Sequence, residues 1–326
     1  MPLETQLGTK DESTYGTPVT VDRFEPFISE NIQPETFRTR VPTLRSGKQT
    51  SGSTEYAAGI LGYAGSIEIP ALSKGFGLWL TRALGASTTA GPTGAAYQHT
   101  AVIDPDACPP FFSAQVNRAF APCAATDQAM SFEGCQIASW SLECSVDDIL
   151  KFSCDIVAED GTTGTALASA SYSVTEPLTW AGSSLTIGGT SVPVTSVTLS
   201  GDNKLKTDRH YQRANTRRDK APRSDYPEIT IEFEADWDST TQYDRFVAET
   251  AAGTQAAVVW TVEAPTIITT GYYPGIAVTL AAVDFTEVAA NVSGPEMMMQ
   301  SISGLVVDNF SAEPISAVYT TEDTTP

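Results

Sequence analysis

The stretch Cys135–Val157, CQIASWSLECSVDDILKFSCDIV, decides the fold. Ala138, Trp140, Leu142 and Cys144 alternate with Ser139, Ser141, Glu143 and Ser145. After a turn at Asp147-Asp148, Leu150, Phe152, Cys154 and Ile156 alternate with Lys151, Ser153 and Asp155. Apolar residues at every second position share one face of a pleated strand. The pattern therefore predicts an antiparallel hairpin packed on one side and wet on the other. Glu228–Trp237 repeats the pattern: Ile229, Ile231, Phe233, Ala235 and Trp237 face one way, and Glu228, Thr230, Glu232, Glu234 and Asp236 the other. Carboxylates crowded on one strand face repel each other. Such a face is either a solvated edge or a surface that has to be negative.

Outward from these strands, period two prevails and helices are few. Ser73 can cap a helix over Lys74–Leu84, with Phe76, Trp79, Leu80, Ala83 and Leu84 as an apolar stripe and Gly85 as the stop. Ser239 or Thr240 can cap a second helix reaching about Thr250, with Tyr243, Phe246 and Val247 expected in the core. The elements recur in one order. A strand (Glu35–Leu44; Val194–Ser200) leads to a polar loop. Then come Ser66-Ile-Glu-Ile69 or Thr230-Ile-Glu-Phe233, a helix, a short strand (Tyr97–Ile103; Ala256–Val262) and a long hairpin (Gly134–Val157; Gly275–Asp308). A shared order of this kind predicts an internal duplication. The expected architecture is all-β: an arm over 1–35, a β-sandwich unit over 36–160, a linker over 161–192 with a small hairpin at Leu178–Thr190, a second unit over 193–311, and a tail over 312–326. Each unit carries one short helix.

At 326 residues, 41% hydrophobic and 18% charged, the chain is globular and long enough for two compact units. Its net charge of −20 and pI near 4.3 argue against tight binding of duplex DNA or an anionic membrane. With only seven lysines, the acidity also suits a salty cytoplasm. Met1-Pro2-Leu3-Glu4 does not begin a secretory signal, and the longest nearly apolar run, Gly275–Val283, is far short of a membrane span. The expectation is a soluble protein kept in the cytosol until used. Cys108, Cys123, Cys135, Cys144 and Cys154 lack metal-ligand spacing and read as small buried apolar groups, with a Cys144–Cys154 bridge as the alternative.

No catalytic, cofactor or metal constellation stands out. Gly47-Lys48-Gln49-Thr50 lacks the earlier glycine and the Ser or Thr of a phosphate-binding loop, and Gly75-Phe76-Gly77 lacks a third glycine. The paired acids Asp147-Asp148 and Glu232/Glu234 read as surface rather than as a glycosidase pair. The strongest local feature is charge. Residues 201–225 hold eight of the 19 bases (Lys204, Lys206, Arg209, Arg213, Arg217, Arg218, Lys220, Arg223) and four acids, leaving 35 acids against 11 bases elsewhere. This basic loop is a solvated loop, a nucleic-acid contact, or a contact to an acidic neighbour such as another copy. Only Tyr211 offers a stacking platform for bases. Exposed ion pairs contribute about 0–1 kcal/mol each, so a useful contact must also bury Leu205, Tyr211 or backbone.

Taken in order, several motifs resemble the tail tube proteins of long-tailed, non-contractile phages. They are Leu7-Gly8-Thr9-Lys10 through Thr17-Pro18-Val19, Gly65–Pro70 leading into Lys74–Leu78, and Gln98-His99-Thr100. Phe132-Glu133-Gly134-Cys135, Asp202–Leu205 and Tyr226–Phe233 complete the series. The resemblance covers most of the chain; the basic loop and the Leu178–Thr190 region depart from it. It implies a structural virion protein whose sheets join between subunits into a barrel, with rings stacked through arms and loops. It also implies tape measure, tail terminator and distal tail or baseplate proteins as partners. On that reading Glu68, Glu143, Asp155, Glu232 and Glu234 line the lumen and repel passing DNA. The basic loop then holds ring to ring, and two units per chain favour a trimer with pseudo-sixfold symmetry over a hexamer. The rival reading is a surface or secreted β-sandwich that binds carbohydrate.

Overall fold

Period-two segments fold as antiparallel strands almost throughout the chain. The structure, a computed structural model, describes residues 5–41, 46–47, 50, 52, 54–104, 108–119, 127–212, 215–248, 255–290 and 298–326. Arg213, Cys123, Lys48 and Gln49 lie outside them.

The first half runs through β1 (Leu7–Asp11), β2 (Arg23–Glu25), β3 (Ser29–Glu30), β4 (Gln33–Arg40), β5 (Tyr56–Pro70), α1 (Gly77–Leu84), β6 (Gly85–Thr93), β7 (Ala96–Ile103), β8 (Phe112–Asn117), β9 (Ala129–Ser145), β10 (Lys151–Ala158) and β11 (Asp160–Thr162). The second runs through β12 (Ser183–Ile187), β13 (Thr190–Val192), β14 (Val194–Asp202), β15 (Glu228–Asp236), α2 (Thr241–Phe246), β16 (Ala256–Glu263), β17 (Gly275–Ala290), β18 (Met299–Val306) and β19 (Ile315–Thr321).

The two alternating hairpins belong to one antiparallel sheet. Its order is β3 and β4 in line, then β5, β10, β9, β14, β15, β18 and β17. It consists of two quartets in the same order along the chain: first, second, fourth, third. The strands β9 and β14 join them. In both quartets the third strand is long and passes into a second layer. β9 pairs with β8 and β11 in its first part and with β10 and β14 in its second. β17 pairs with β19 over Gly275–Leu280 and with β18 over Val283–Ala290. The second layer reads β2–β1–β8–β9–β11 on one side and β13–β12–β16–β17–β19–β7–β6 on the other. Buried residues of both layers and both halves form one core, including Ile67, Phe152, Leu142, Val197, Ile231, Phe233 and Ile302. Among the described residues no barrel closes within the chain.

Several expectations need correction. The segment 312–326, expected as a tail, is held in the sheet. β19 lies between β17 and β7, and Tyr319 is fully buried with its hydroxyl donating to the Leu72 carbonyl at 2.8 Å. Within the expected arm, Leu7–Asp11 is likewise held by its own chain. β1 is fastened by Arg82 of α1, a buried guanidinium that bonds Asp11 at 2.8 Å and Thr9 at 3.0 Å and stacks 4.2 Å from the Phe112 ring centroid. The counterpart of β16 is β8, not Tyr97–Ile103, because β8 pairs with β9 as β16 pairs with β17.

Helix α1 begins at Gly77 rather than Lys74. The Ser73 hydroxyl accepts the Glu176 N–H instead of capping it, and Gly85 ends it at φ 121°. In α2 the hydroxyl of Thr240 donates to Asp244, and the expected core stripe is open to solvent, with Tyr243 44%, Phe246 37% and Val247 49% exposed.

The cysteines Cys108, Cys135, Cys144 and Cys154 are free thiols. The alternative bridge does not form, because Cys154 lies opposite Trp140 while Cys144 lies opposite Val197. Burial pushes the Cys135 and Cys154 thiols far up, and the Cys144 thiol up to about 11. A thiol reagent applied to native protein at pH 8 is therefore expected to label exposed Cys108 and leave Cys135, Cys144 and Cys154 untouched until denaturant is added. Mass mapping of the labelled peptides checks this.

Candidate functional site

Opposite the core, the eight-stranded sheet turns its polar alternation to solvent, and ladder register decides which side chains meet. Lys151, Glu143, Thr198, Glu232, Ser303 and Glu287 form one row across β10, β9, β14, β15, β18 and β17. The acids Glu143, Glu232 and Glu287 are separated by Thr198 and Ser303. Neighbouring strands lie about 4.8 Å apart, so acids on alternate strands stand roughly 10 Å apart. That distance exceeds the Debye length of about 8 Å at physiological salt, so their mutual repulsion is largely screened. The spacing answers the cost foreseen for crowded carboxylates: cross-strand neighbours are hydroxyls, not more acids.

The adjacent rows follow the same rule. Glu68, Ser153, Ser141, Ser200, Thr230, Leu305 and Asp284 align, as do Ser145, Ser196, Glu234 and Ser301. A further row, Ser66, Asp155, Ser139, Asp202, Glu228, departs from that rule, since Asp202 and Glu228 meet directly across β14 and β15. The Glu68 carboxylate accepts from Ser29 Oγ at 3.2 Å, and that of Asp155 from Ser139 Oγ at 2.6 Å. All five acids named from sequence thus share one face. That face also carries Asp202, Glu228, Asp284 and Glu287. Its cations sit at its margins, where Lys151 pairs with Asp148 at 2.5 Å and Lys204 bridges Asp202 at 2.9 Å and Glu228 at 2.8 Å.

The missed acids have a physical cause. The pairing of β17 with β18 shifts between Phe285 and Glu287, leaving Thr286 as an extra residue. A bulge adds one residue to one strand, so Asp284 and Glu287 reach the same face three positions apart. Strict period-two reading breaks at that point. The matching shift in the first quartet falls where Asp155 and Ile156 pair with β9.

The basic loop turns inward to its own chain. Arg218 is 5% exposed, donates to the Tyr63 carbonyl at 3.0 Å and pairs with Glu35. Arg217 pairs with Glu133 at 3.0 Å and Asp160 at 2.5 Å. Burial raises the Glu133 carboxyl, and Arg217 pulls it back down. Arg223 donates to the carbonyls of Asp104 at 2.5 Å and Leu84 at 3.0 Å. Arg209 reaches the Lys220 carbonyl at 2.5 Å, with Asp219 at 3.8 Å, and Lys220 lies over the Phe111 ring. Lys206, with a half-exposed side chain, is 3.2 Å from Asp208. Tyr211 and Tyr226 remain exposed, at 53% and 89%.

Two sheet edges complete the site. Among the described residues, β3 and β4 pair only with β5, and β17 beyond Val283 only with β18. Unpaired N–H and C=O groups along a strand are a template for another chain. No helix of the described residues is long and apolar enough to cross a membrane.

Against known proteins, a family model described as phage tail tube protein matches residues 2–306, nearly the whole chain. A search of curated proteins finds no match.

Proposed function

The chain belongs to the phage tail tube protein family, and from that premise we propose that three copies close a ring through the edges of the acidic sheet. The family is structural, a component of the virion tail, and its role is assembly rather than catalysis. The observation that carries the ring is the β9–β14 join. It ties the third strand of one quartet to the first strand of the next inside one chain. The chain's two free edges, β17 and β3–β4, are the same two strands of the quartets. A neighbour joined in the same way repeats the contact, so each chain supplies two of six similar units.

Size favours three chains over six. Eight strands per chain, about 4.8 Å apart and tilted roughly 40°, give a barrel about 50 Å across at the backbone for three chains and about 100 Å for six. The narrower bore keeps the acidic face near a passing duplex. Duplex DNA carries one charge per ~1.7 Å of axis. A wall bearing Glu68, Glu143, Asp155, Glu232 and Glu234, with Asp202, Glu228, Asp284 and Glu287, then acts as an anti-adhesive lining during ejection. Rings stack into a tube, assembled in the host cytoplasm and bounded by tape measure, terminator and distal tail proteins. Since Arg217, Arg218 and Arg223 are engaged within the chain, the basic loop meets the next ring through Lys206, Tyr211 and Tyr226.

The join fixes a register. Glu232 aligns with Glu68 and Ser303 with Ser153, so Thr198 corresponds to Ser29 and Glu143 to Ala289. Thr198 lies opposite Glu143, which places Ser29 of one copy opposite Ala289 of the next. A Ser29→Cys/Ala289→Cys chain lacking Cys108 and Cys123 is expected to form interchain disulfides on assembly, since cross-strand Cα spacing suits the bond. Non-reducing gels should show a ladder ending at three chains. A ladder running to six ends the trimer, and the absence of interchain bonds in assembled tubes ends the edge join.

A further inference from the structure

The internal join also carries neighbouring elements with it. Beyond Asp202 the chain leaves the sheet beside the C-terminus of α1. There Asn203 Nδ2 donates to the carbonyls of Ala83 and Ile137, both at 3.0 Å, and Arg223 covers the Leu84 carbonyl. The helix packs on β9, and the loop 203–223 closes over its end. The second unit repeats the receiving half of this arrangement, because α2 packs on β17. Its apolar residues Tyr243, Phe246 and Val247 are exposed. No loop of the same chain follows a strand paired to the β17 edge among the described residues, since that edge has no in-chain partner.

The register identifies what belongs there. Asp202 and Asn203 correspond to Gln33 and Pro34, so the segment leaving the join in a neighbouring copy is the β4–β5 hairpin. This two-stranded ribbon stands beyond the sheet, and it exposes Val41 at 46%, Tyr56 at 50% and Ile60 at 39%. An isolated two-stranded hairpin is marginal in water, so exposed apolar groups on one call for a partner surface. The pairing of β4 with β5 shifts between Thr36 and Arg38, after which Ala58 and Tyr56 lie opposite Arg38 and Arg40. Residues 36, 38 and 40 share one side of β4, so Ala58 and Tyr56 fall on the same side as Leu61 and Ile67, the side that carries the helices. From Pro34 to Arg40 the ribbon extends about 20 Å, enough to cross α2, a helix of six residues and so about 9 Å long.

We infer that the Ala58–Tyr56 side of the hairpin docks on the Tyr243–Val247 face of α2 in the adjacent copy of the same ring. The inference rests on the edge join proposed above. It makes each ring contact two-part: a backbone ladder, which is tolerant of sequence, and a side-chain clasp in which Tyr56 and Ala58, flanked by Arg38 and Arg40, meet the helix. Each half of the clasp is exposed in the lone chain and buried only when the ring closes.

Two cysteine pairs separate this clasp from the ring itself. In a background lacking Cys108 and Cys123, Ala58→Cys/Val247→Cys is expected to cross-link neighbouring chains on assembly, as Ser29→Cys/Ala289→Cys does. Tyr56→Asp, at an exposed site that leaves folding intact, should raise the protein concentration needed for assembly about tenfold. Cross-linking at Ser29/Ala289 with none at Ala58/Val247, or unchanged assembly of Tyr56→Asp, overturns the clasp and leaves the ring standing. Cross-linking at neither pair in assembled tubes removes both. Cross-links at Ala58/Val247 that persist only between stacked rings, seen as chains longer than three, also overturn it.

Discussion

Tubes built from a chain carrying Glu143→Lys, Glu232→Lys and Glu287→Lys are expected to retain DNA that the parent tube lets pass. The three residues lie in one row across β9, β15 and β17, all exposed and interrupted by Thr198 and Ser303. None supports the core, and surface substitutions of this kind usually change stability by no more than about 0.5 kcal/mol. The electrostatic change is far larger: the row goes from three negative charges to three positive ones in every chain. A duplex touching three such lysines should bind with an affinity that drops about 40-fold between 50 and 200 mM salt, the signature of counterion release. Short duplex DNA incubated with assembled tubes should be held at low salt, protected from nuclease, and released as salt rises. Virions carrying the variant should eject incompletely. Tubes that assemble normally, yet hold DNA no better than the parent, would show that this face does not line the bore.

Much of this face was legible in the sequence because strand alternation is local. Glu143, Asp155, Glu232 and Glu234 follow from period two alone, and Glu68 from its match with Glu232. What alternation does not carry is register. The spacing of acids by hydroxyls depends on which residue of β14 meets which residue of β9, and those strands are more than fifty positions apart. The bulge at Thr286 hid Asp284 and Glu287 for a related reason, since an inserted residue breaks the period while preserving the face. The C-terminal strand escaped because Ile315, Ala317 and Tyr319 form too short a run to outweigh the polar residues around them; only pairing with β7 and β17 fixes it. The apolar stripe on α2 failed in the opposite direction. Periodicity announces a face that is to be covered, but it does not say by which chain.

The last expectation concerns the basic loop, where charge counting and structure lead to different outcomes for one variant. A loop that only held ring to ring, as the resemblance implies, would lose polymerisation and keep its folding on reversal of Arg217 and Arg218 to Glu. The structure instead predicts that Arg217→Glu/Arg218→Glu destabilises the monomer. Arg218 is buried against the Tyr63 carbonyl and Glu35, and Arg217 neutralises both Glu133 and Asp160. Reversal places carboxylates against those acceptors and leaves Glu133, already raised by burial, without its balancing charge. Breaking pairs that are partly buried in this way costs on the order of 3–5 kcal/mol, the unpaired partner being the main penalty. The corresponding fall in Tm is roughly 6–20 °C. Lys206→Glu, on the outer side of the same loop, should leave Tm nearly unchanged while shortening tubes, because that side chain is half exposed and its pair with Asp208 is weak. Calorimetry of the two variants beside tube-length measurements separates the roles. A double reversal with the parent Tm and no tubes would return Arg217 and Arg218 to the stacking surface. A Lys206 variant with full-length tubes would remove the outer side of the loop from it.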